Sequence, residues 1–405
     1  MTSHTPQEPS TGPQRGRSLE VFRAFLQLGL TSFGGPVAHL GYFRTEFVER
    51  RQWLDDKSYS DLVALCQFLP GPASSQVGMA LGQLRAGWLG SLMAWIGFTL
   101  PSALALIVLA YGIAQSSNLA ASGAVHGLKV VAVAVVAQAV WGMARSLCPD
   151  RTRAALAIGA ALLTLALPNG LGQVGALVVC GLIGGWCVRL PHQAAVAHTG
   201  YGVSRRAGTL ALLVFFVVLL GLPLWVVATG SPLWALVEGF YRSGALVFGG
   251  GHVVLPLLQS TVVPSGAVSQ SVFLAGYGAA QAVPGPLFTF AAYLGAVMNG
   301  PLSGWQGGLV FLLAIFLPAW LLVIGALPFW DALRQRDAVR NAMAGVNAGV
   351  VGILLSALYD PVWTHAIEGP LDVGLALLAL LALMAWRVPP WAVVGACALA
   401  GWLLG

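Results

Sequence analysis

Two prolines flanking a glycine occur twice inside apolar stretches, as Pro70-Gly71-Pro72 and Pro284-Gly285-Pro286. Proline has no amide hydrogen and its ring clashes with the preceding turn, so no α-helix can run straight through either site. In lipid such a break is tolerated only where the freed backbone is buried in protein or lines a watery cavity. A helix that restarts after a break leaves its first N–H groups unpaired and the positive end of its dipole exposed, which suits an anion. The candidate donors are Gly71 to Ser75, with the Ser74 and Ser75 hydroxyls, and Gly285 to Phe288, with Thr289 nearby. Gly34, Gly35, Gly249 and Gly250, in two Phe-Gly-Gly segments, allow close backbone approach to a ligand.

Lys129 adds a cation to an otherwise uncharged helix, where it faces a cavity or partner or else snorkels to an interface. His39, His126 and His252 lie near the breaks and are candidate proton carriers, His252 also a ligand contact. A histidine in a packed helix is, however, more commonly a satisfied hydrogen-bonder. Arg242 has Glu238 one turn before it as an ion-pair partner. Asp61 is a candidate cap for the helix that leads into the first turn.

No nucleophile elbow, zinc-protease helix, phosphate-binding P-loop or dinucleotide fingerprint is present, and the five cysteines form no CxxC pair. No catalytic residue, metal site or cofactor is therefore expected. Hydrophobic residues make up 57% of the 405 positions and charged ones 8%, against about 25% in soluble domains. The long continuous apolar runs indicate a polytopic all-α membrane protein rather than a barrel. A net charge of +6 does not signal nucleic acid, because the basic residues sit singly or in small groups between the apolar runs.

The elements that carry these residues come in two sets. Phe33-Gly34-Gly35 is echoed by Phe248-Gly249-Gly250 and the first Pro-Gly-Pro by the second. Thr99-Leu100-Pro101 is echoed by Phe316-Leu317-Pro318, and the Gly127 region by that of Gly345, all at offsets of 214 to 218 residues. This is a duplication. The expected organisation is a disordered cytoplasmic tail at 1–18, a transporter repeat at 19–190, a basic linker with an unpaired helix at 191–234, and a second repeat at 235–405.

Loop charges put Arg145, Arg151, Arg153, Arg189, Arg205, Arg206, Arg334, Arg336 and Arg387 on the cytoplasmic side. The loop carrying Arg44, Arg50, Arg51 and Lys57 joins them only if the Gly-Gly-Pro and Pro-Gly-Pro segments are re-entrant hairpins. That gives about nine full crossings and four hairpins; otherwise there are about thirteen crossings. Either count is odd, so the repeats are inverted, with the N-terminus cytoplasmic and the C-terminus periplasmic.

Several of these segments resemble the chromate ion transporter family in its long, two-domain form. They are Phe33-Gly34-Gly35, Trp53-Leu54-Asp55-Asp56, Gln67-Phe68-Leu69-Pro70-Gly71-Pro72 and the stretch Gly249 to Leu258. The resemblance covers about Leu19 to Gly405. It implies a multi-pass carrier of the bacterial inner membrane that exports chromate, confers chromate resistance and handles the isosteric sulfate, with a small oxyanion and the bilayer as its partners. A homodimer is one assembly open to it. The rival readings are an importer of sulfate or a related oxyanion, a lipid scramblase or membrane scaffold, and an intramembrane enzyme. The second-half loop Ser260 to Ser269 lacks the charges of its first-half counterpart, so the halves are not expected to be equivalent.

Overall fold

The computed structural model describes residues 14–115, 123–190, 202–248, 250–300, 302–334 and 336–404. These residues are predominantly α-helical, and no β-strand occurs among them. Six helices are long and apolar enough to cross a bilayer, so the chain is an all-α polytopic membrane protein.

In the first half, α1 (Gln14–Thr31), α2 (Gly35–Arg44), α3 (Asp56–Phe68) and α4 (Ala73–Gln115) precede α5 (Gly123–Leu147), α6 (Arg151–Ala166) and α7 (Gly170–Cys187). The unpaired helix is α8 (Arg205–Thr229). The second half repeats the order as α9 (Pro232–Leu246), α10 (Val254–Val262), α11 (Gln270–Ala280), α12 (Phe290–Val297), α13 (Gly304–Ala326), α14 (Asp337–Ala357), α15 (Pro370–Met384) and α16 (Pro390–Leu404). Helices α6, α15 and α16 hold 16, 15 and 15 residues. At 1.5 Å per residue they reach only about 22–24 Å, short of the ~30 Å hydrocarbon core.

Two expectations are corrected. The tail does not extend to residue 18, because α1 starts at Gln14. The cap of α3 is Asp55, not Asp61. Asp55 holds extended backbone (φ −80°, ψ 165°) and its carboxylate accepts the Ser58 N–H at 2.8 Å, whereas Asp61 lies inside the helix.

Hairpins replace full crossings at the broken segments. Glu20 of α1 pairs with Arg51 (3.7 Å) and Arg85 (3.0 Å), and the Arg85 guanidinium lies 5.3 Å from the Trp53 ring. The start of α1, the charged loop and the end of the first arm of α4 therefore share one end of the bundle. At Ala86 and Gly87 the backbone leaves helical geometry, Gly87 taking φ +65°, and α4 doubles back into its long second arm. Gly82 and Gly90 face each other across that fold with no room for a side chain, as Gly295 and Gly307 do between α12 and α13. Small residues allow such backbone-to-backbone approach within a membrane.

Equivalent helices of the two halves run in opposite directions. Trp320 of α13 donates its indole N–H to Ser91 Oγ near one end of the second arm of α4 (3.0 Å). The Trp305 N–H donates to the Tyr111 hydroxyl near the other (3.0 Å). The repeats are inverted, and their closing helices are exchanged. Gly127 of α5 abuts Cys397 of α16, while Gly345 of α14 abuts Cys180 and Gly184 of α7. The core is thus shared between the halves.

Candidate functional site

Each Pro-Gly-Pro turn is tied to the glycine-rich break of the opposite half. The Gly71 N–H donates to the Val247 carbonyl at 2.6 Å, and the Gly285 N–H donates to the Ser32 carbonyl at 2.9 Å. Both glycines take positive φ, +123° and +103°, which L side chains rarely adopt. Val247 and Ser32 each immediately precede a Phe-Gly-Gly segment, so the bonds form a reciprocal clasp about the pseudo-two-fold axis. The clasp satisfies two amides that lipid would leave unpaired. It also means that the turn amides of Gly71 and Gly285, expected as ligand donors, already serve the fold. The first helical bond of α4 runs from the Gln76 N–H to the Pro72 carbonyl, so Ala73, Ser74 and Ser75 supply the first-turn amides without an intrahelical acceptor.

A cavity of about 190 Å³ opens where the first glycine break meets the second Pro-Gly-Pro turn. Its lining includes Gly34, Gly35, Gln138, His252, Gln281 and Gly285, with no lysine, arginine or carboxylate. That volume is several times the ~30 Å³ share of one liquid water and suits a small polyatomic ion. His252 Nδ1 and the Tyr277 hydroxyl are 2.8 Å apart, which fixes the ring against α11. Gln281 Nε2 reaches the Tyr277 carbonyl at 3.5 Å.

Next to the cavity lies a buried polar cluster. A carbonyl only accepts, so the 3.2 Å contact from His39 Nε2 to Ser32 O assigns the proton to Nε2. In the neutral ring Nδ1 then accepts from the Ser74 hydroxyl at 3.3 Å. Both His39 nitrogens are engaged, and the ring is 1% exposed. The Ser102 hydroxyl, donating to the Thr99 carbonyl at 3.0 Å, sits against Gly285. Ser75 Oγ and Thr99 Oγ1 are buried without a hydrogen-bond partner.

Four pseudo-symmetric positions are apolar instead, while Ser75 is answered by Thr289. Ser74, Gln76, Thr99 and Ser102 are answered by Phe288, Phe290, Phe316 and Ala319. There Phe316 packs against Phe288 and Trp95, each at 5.7 Å between ring centroids, and Ala319 presses on Gly71. One polar site has therefore been kept, assembled from first-half helices and a second-half turn.

The remaining expected residues are dispersed. Gly250 lies beside Met143, and Gly249 lies outside the described residues. The Thr289 hydroxyl is used on the Pro286 carbonyl at 2.7 Å. Pro70 has its carbonyl bound by Gln76 Nε2 at 2.8 Å. Lys129 is not in the cavity lining: its ammonium pairs with Glu368 at 3.3 Å. Nor is His126, whose Nε2 is 2.7 Å from Asp372. Lys129 lies nine residues before Gln138 on α5, about 13 Å along the axis. Gln138 itself was missed by sequence reasoning, although a polar side chain amid the Val130–Val140 run was a usable signal.

Comparison with known proteins agrees with this architecture. The chromate transporter family matches residues 19–233 and again 234–402. A chromate transport protein of Pseudomonas aeruginosa is 29% identical over 406 residues, covering 95% of this chain and 92% of the relative. A chromate transport protein of Cupriavidus metallidurans is 26% identical, covering 88% and 84%. A shorter uncharacterized transporter of Bacillus subtilis is 39% identical over 92 residues, 23% of this chain and 52% of the relative. No solved structure matches. With its two inverted copies of the broken-helix unit, the chain belongs to the chromate transporter family.

Proposed function

We propose that the chain exports chromate across the bacterial inner membrane as a secondary carrier, accepts the isosteric sulfate, and confers chromate resistance. The observation that carries this is the cavity of about 190 Å³ where broken helices of two antiparallel halves meet. Among its lining, the backbone, glutamine and histidine groups can hydrogen-bond an oxyanion without an ion pair that would hold it in place. Gly34, Gly35, His252 and Gly285, with Gln138 and Gln281, would contact the oxyanion, with Ser74 and Ser75 in the adjoining polar cluster. Inverted halves supply two related states with the site open to opposite faces. The end that gathers Arg145, Arg151, Arg153, Arg205 and Arg206 is taken as cytoplasmic. An inside-negative potential drives a dianion outward by about 2.3 kcal/mol per charge per 100 mV, or about 4.6 kcal/mol for two charges.

The test is radiolabelled chromate flux in proteoliposomes under an imposed potential, with and without excess sulfate. Export predicts flux that follows the potential and is inhibited by sulfate. Flux indifferent to the potential, or absent, overturns the carrier reading.

A further inference from the structure

The two mouths of the molecule are chemically opposite. At the Arg85 end a cavity of about 230 Å³ is lined by Phe68, Arg153, Leu190, Arg340, Ala344 and Asn347 among others. Arg153 and Arg340 come from different halves, and their side chains are 18% and 12% exposed. Each bonds a carboxylate in its own first turn, Asp150 at 2.6 Å and Asp337 at 3.2 Å, and both carboxylates are about half exposed. At its inner end the cavity reaches Phe68, the last residue of α3 before the first Pro-Gly-Pro turn.

The pseudo-two-fold axis relates Ala344, Asn347 and Arg153 to His126, Lys129 and Asp372 at the opposite end. There Lys129 and His126 of α5 meet carboxylates at the start of α15: Lys129 Nζ lies 3.3 Å from Glu368, and His126 Nε2 lies 2.7 Å from Asp372. One mouth therefore ties its halves together with opposite charges. The other lines an open cavity with an arginine from each half.

We propose that the Arg153–Arg340 cavity is a second oxyanion-binding site, a vestibule that takes a tetrahedral dianion of the chromate and sulfate class at the Arg85 end before it reaches the midplane cavity. Guanidinium forks match such oxygens geometrically. The Arg153 ion pair to the half-exposed Asp150 holds weakly against a competing dianion. Two cations in a recess also raise the local anion concentration, an effect that salt screens. The inference rests on the transport reading, and its test separates the two.

In proteoliposomes of defined orientation, chromate is offered at each face in turn. Arg153→Gln and Arg340→Gln are each expected to raise the half-saturating concentration about tenfold at the Arg85 face, with little change in maximal rate and none at the other face. Arg153→Lys, which keeps the charge, should recover most of the loss. Half-saturation at the Arg85 face of the unaltered protein should also rise more steeply with ionic strength than at the opposite face. An unchanged value in Arg153→Gln, or an equal rise at both faces, overturns the vestibule. Should the unaltered protein move no chromate, the carrier reading fails and equilibrium dialysis of radiolabelled sulfate against detergent-solubilised protein decides the vestibule alone. Weaker binding in Arg153→Gln than in the unaltered chain upholds it, and equal binding overturns it.

Discussion

Gly285→Ala tests the clasp and the cavity together. Gly285 holds φ +103°, and a methyl group there would lie 2.9 Å from Ser102 Oγ and 3.2 Å from the Phe98 carbonyl. Holding a non-glycine residue in such a conformation costs about 1–3 kcal/mol. Overpacking costs about 1–3 kcal/mol more. If the turn shifts instead, the Gly285 N–H leaves the Ser32 carbonyl, and a buried unsatisfied donor costs a similar amount. The expected loss is about 2–6 kcal/mol, a large part of the ~5–15 kcal/mol that holds a typical domain together. Gly71→Ala should cost slightly less, because its nearest neighbour is the amide end of Gln76, which can swing away at the expense of its hydrogen bonds to the Pro70 and Ala319 carbonyls, although the Ala319 methyl group at 3.1 Å stays in place. Ser102→Ala removes the 2.9 Å obstacle, so the double variant should recover about 1 kcal/mol relative to additivity. Thermal unfolding in detergent and chromate flux, measured on the unaltered protein and all four variants, read the cycle. Strict additivity with equal losses at Gly71 and Gly285 would refute the assignment of the polar site to the Gly285 side.

Lys129→Gln is expected to leave chromate affinity unchanged and to cost no more than ~1 kcal/mol of stability, because Lys129 is paired with the 67% exposed Glu368; a loss of affinity in a flux assay would return it to the binding set. The Asp55 and Asp150 carboxyls, outside the spans, are held below the usual carboxylate range by the N–H groups of Ser58 and Arg153. Their folded pKa lies below the unfolded value, so the stability they add is full above about pH 4 and is lost as pH falls through the folded value. Asp150→Asn should therefore flatten the acid limb of a stability–pH curve, and an unaltered limb would count against the capping role. In a chain whose own cysteines are replaced by alanine, Lys57→Cys should react with impermeant thiol reagents from the same face as Arg206→Cys and the opposite face from Thr229→Cys. Labelling of Lys57→Cys together with Thr229→Cys would restore full crossings in place of hairpins.

The helix breaks and the duplication were legible because proline and glycine act locally, and their spacing survives between the halves. Hairpin topology was half legible: loop charge favoured it, while Glu20, which bonds both Arg51 and Arg85, settles it only in three dimensions. The partner of Lys129 was not legible, because a charge in an apolar run announces its cost and not its partner, which lies 239 residues away in the second half. The turn amides misled for a related reason. A broken helix end offers donors, but whether a ligand or another carbonyl takes them depends on what the opposite repeat brings near. Gln138 was overlooked because a single neutral amide on α5 has no motif around it.

The clasp has a bearing on how chains of this family assemble. A chain of one repeat carries one turn glycine and one carbonyl ahead of its Phe-Gly-Gly break, and it cannot join them to each other. Two antiparallel copies can, because the contact is self-complementary in the isologous sense. In the fused chain each half always has its counterpart at hand, and the two copies are free to specialise. Phe288 opposite Ser74 and Ala319 opposite Ser102 record that division of labour: at these positions one copy keeps the hydroxyl, and the other has become its packing.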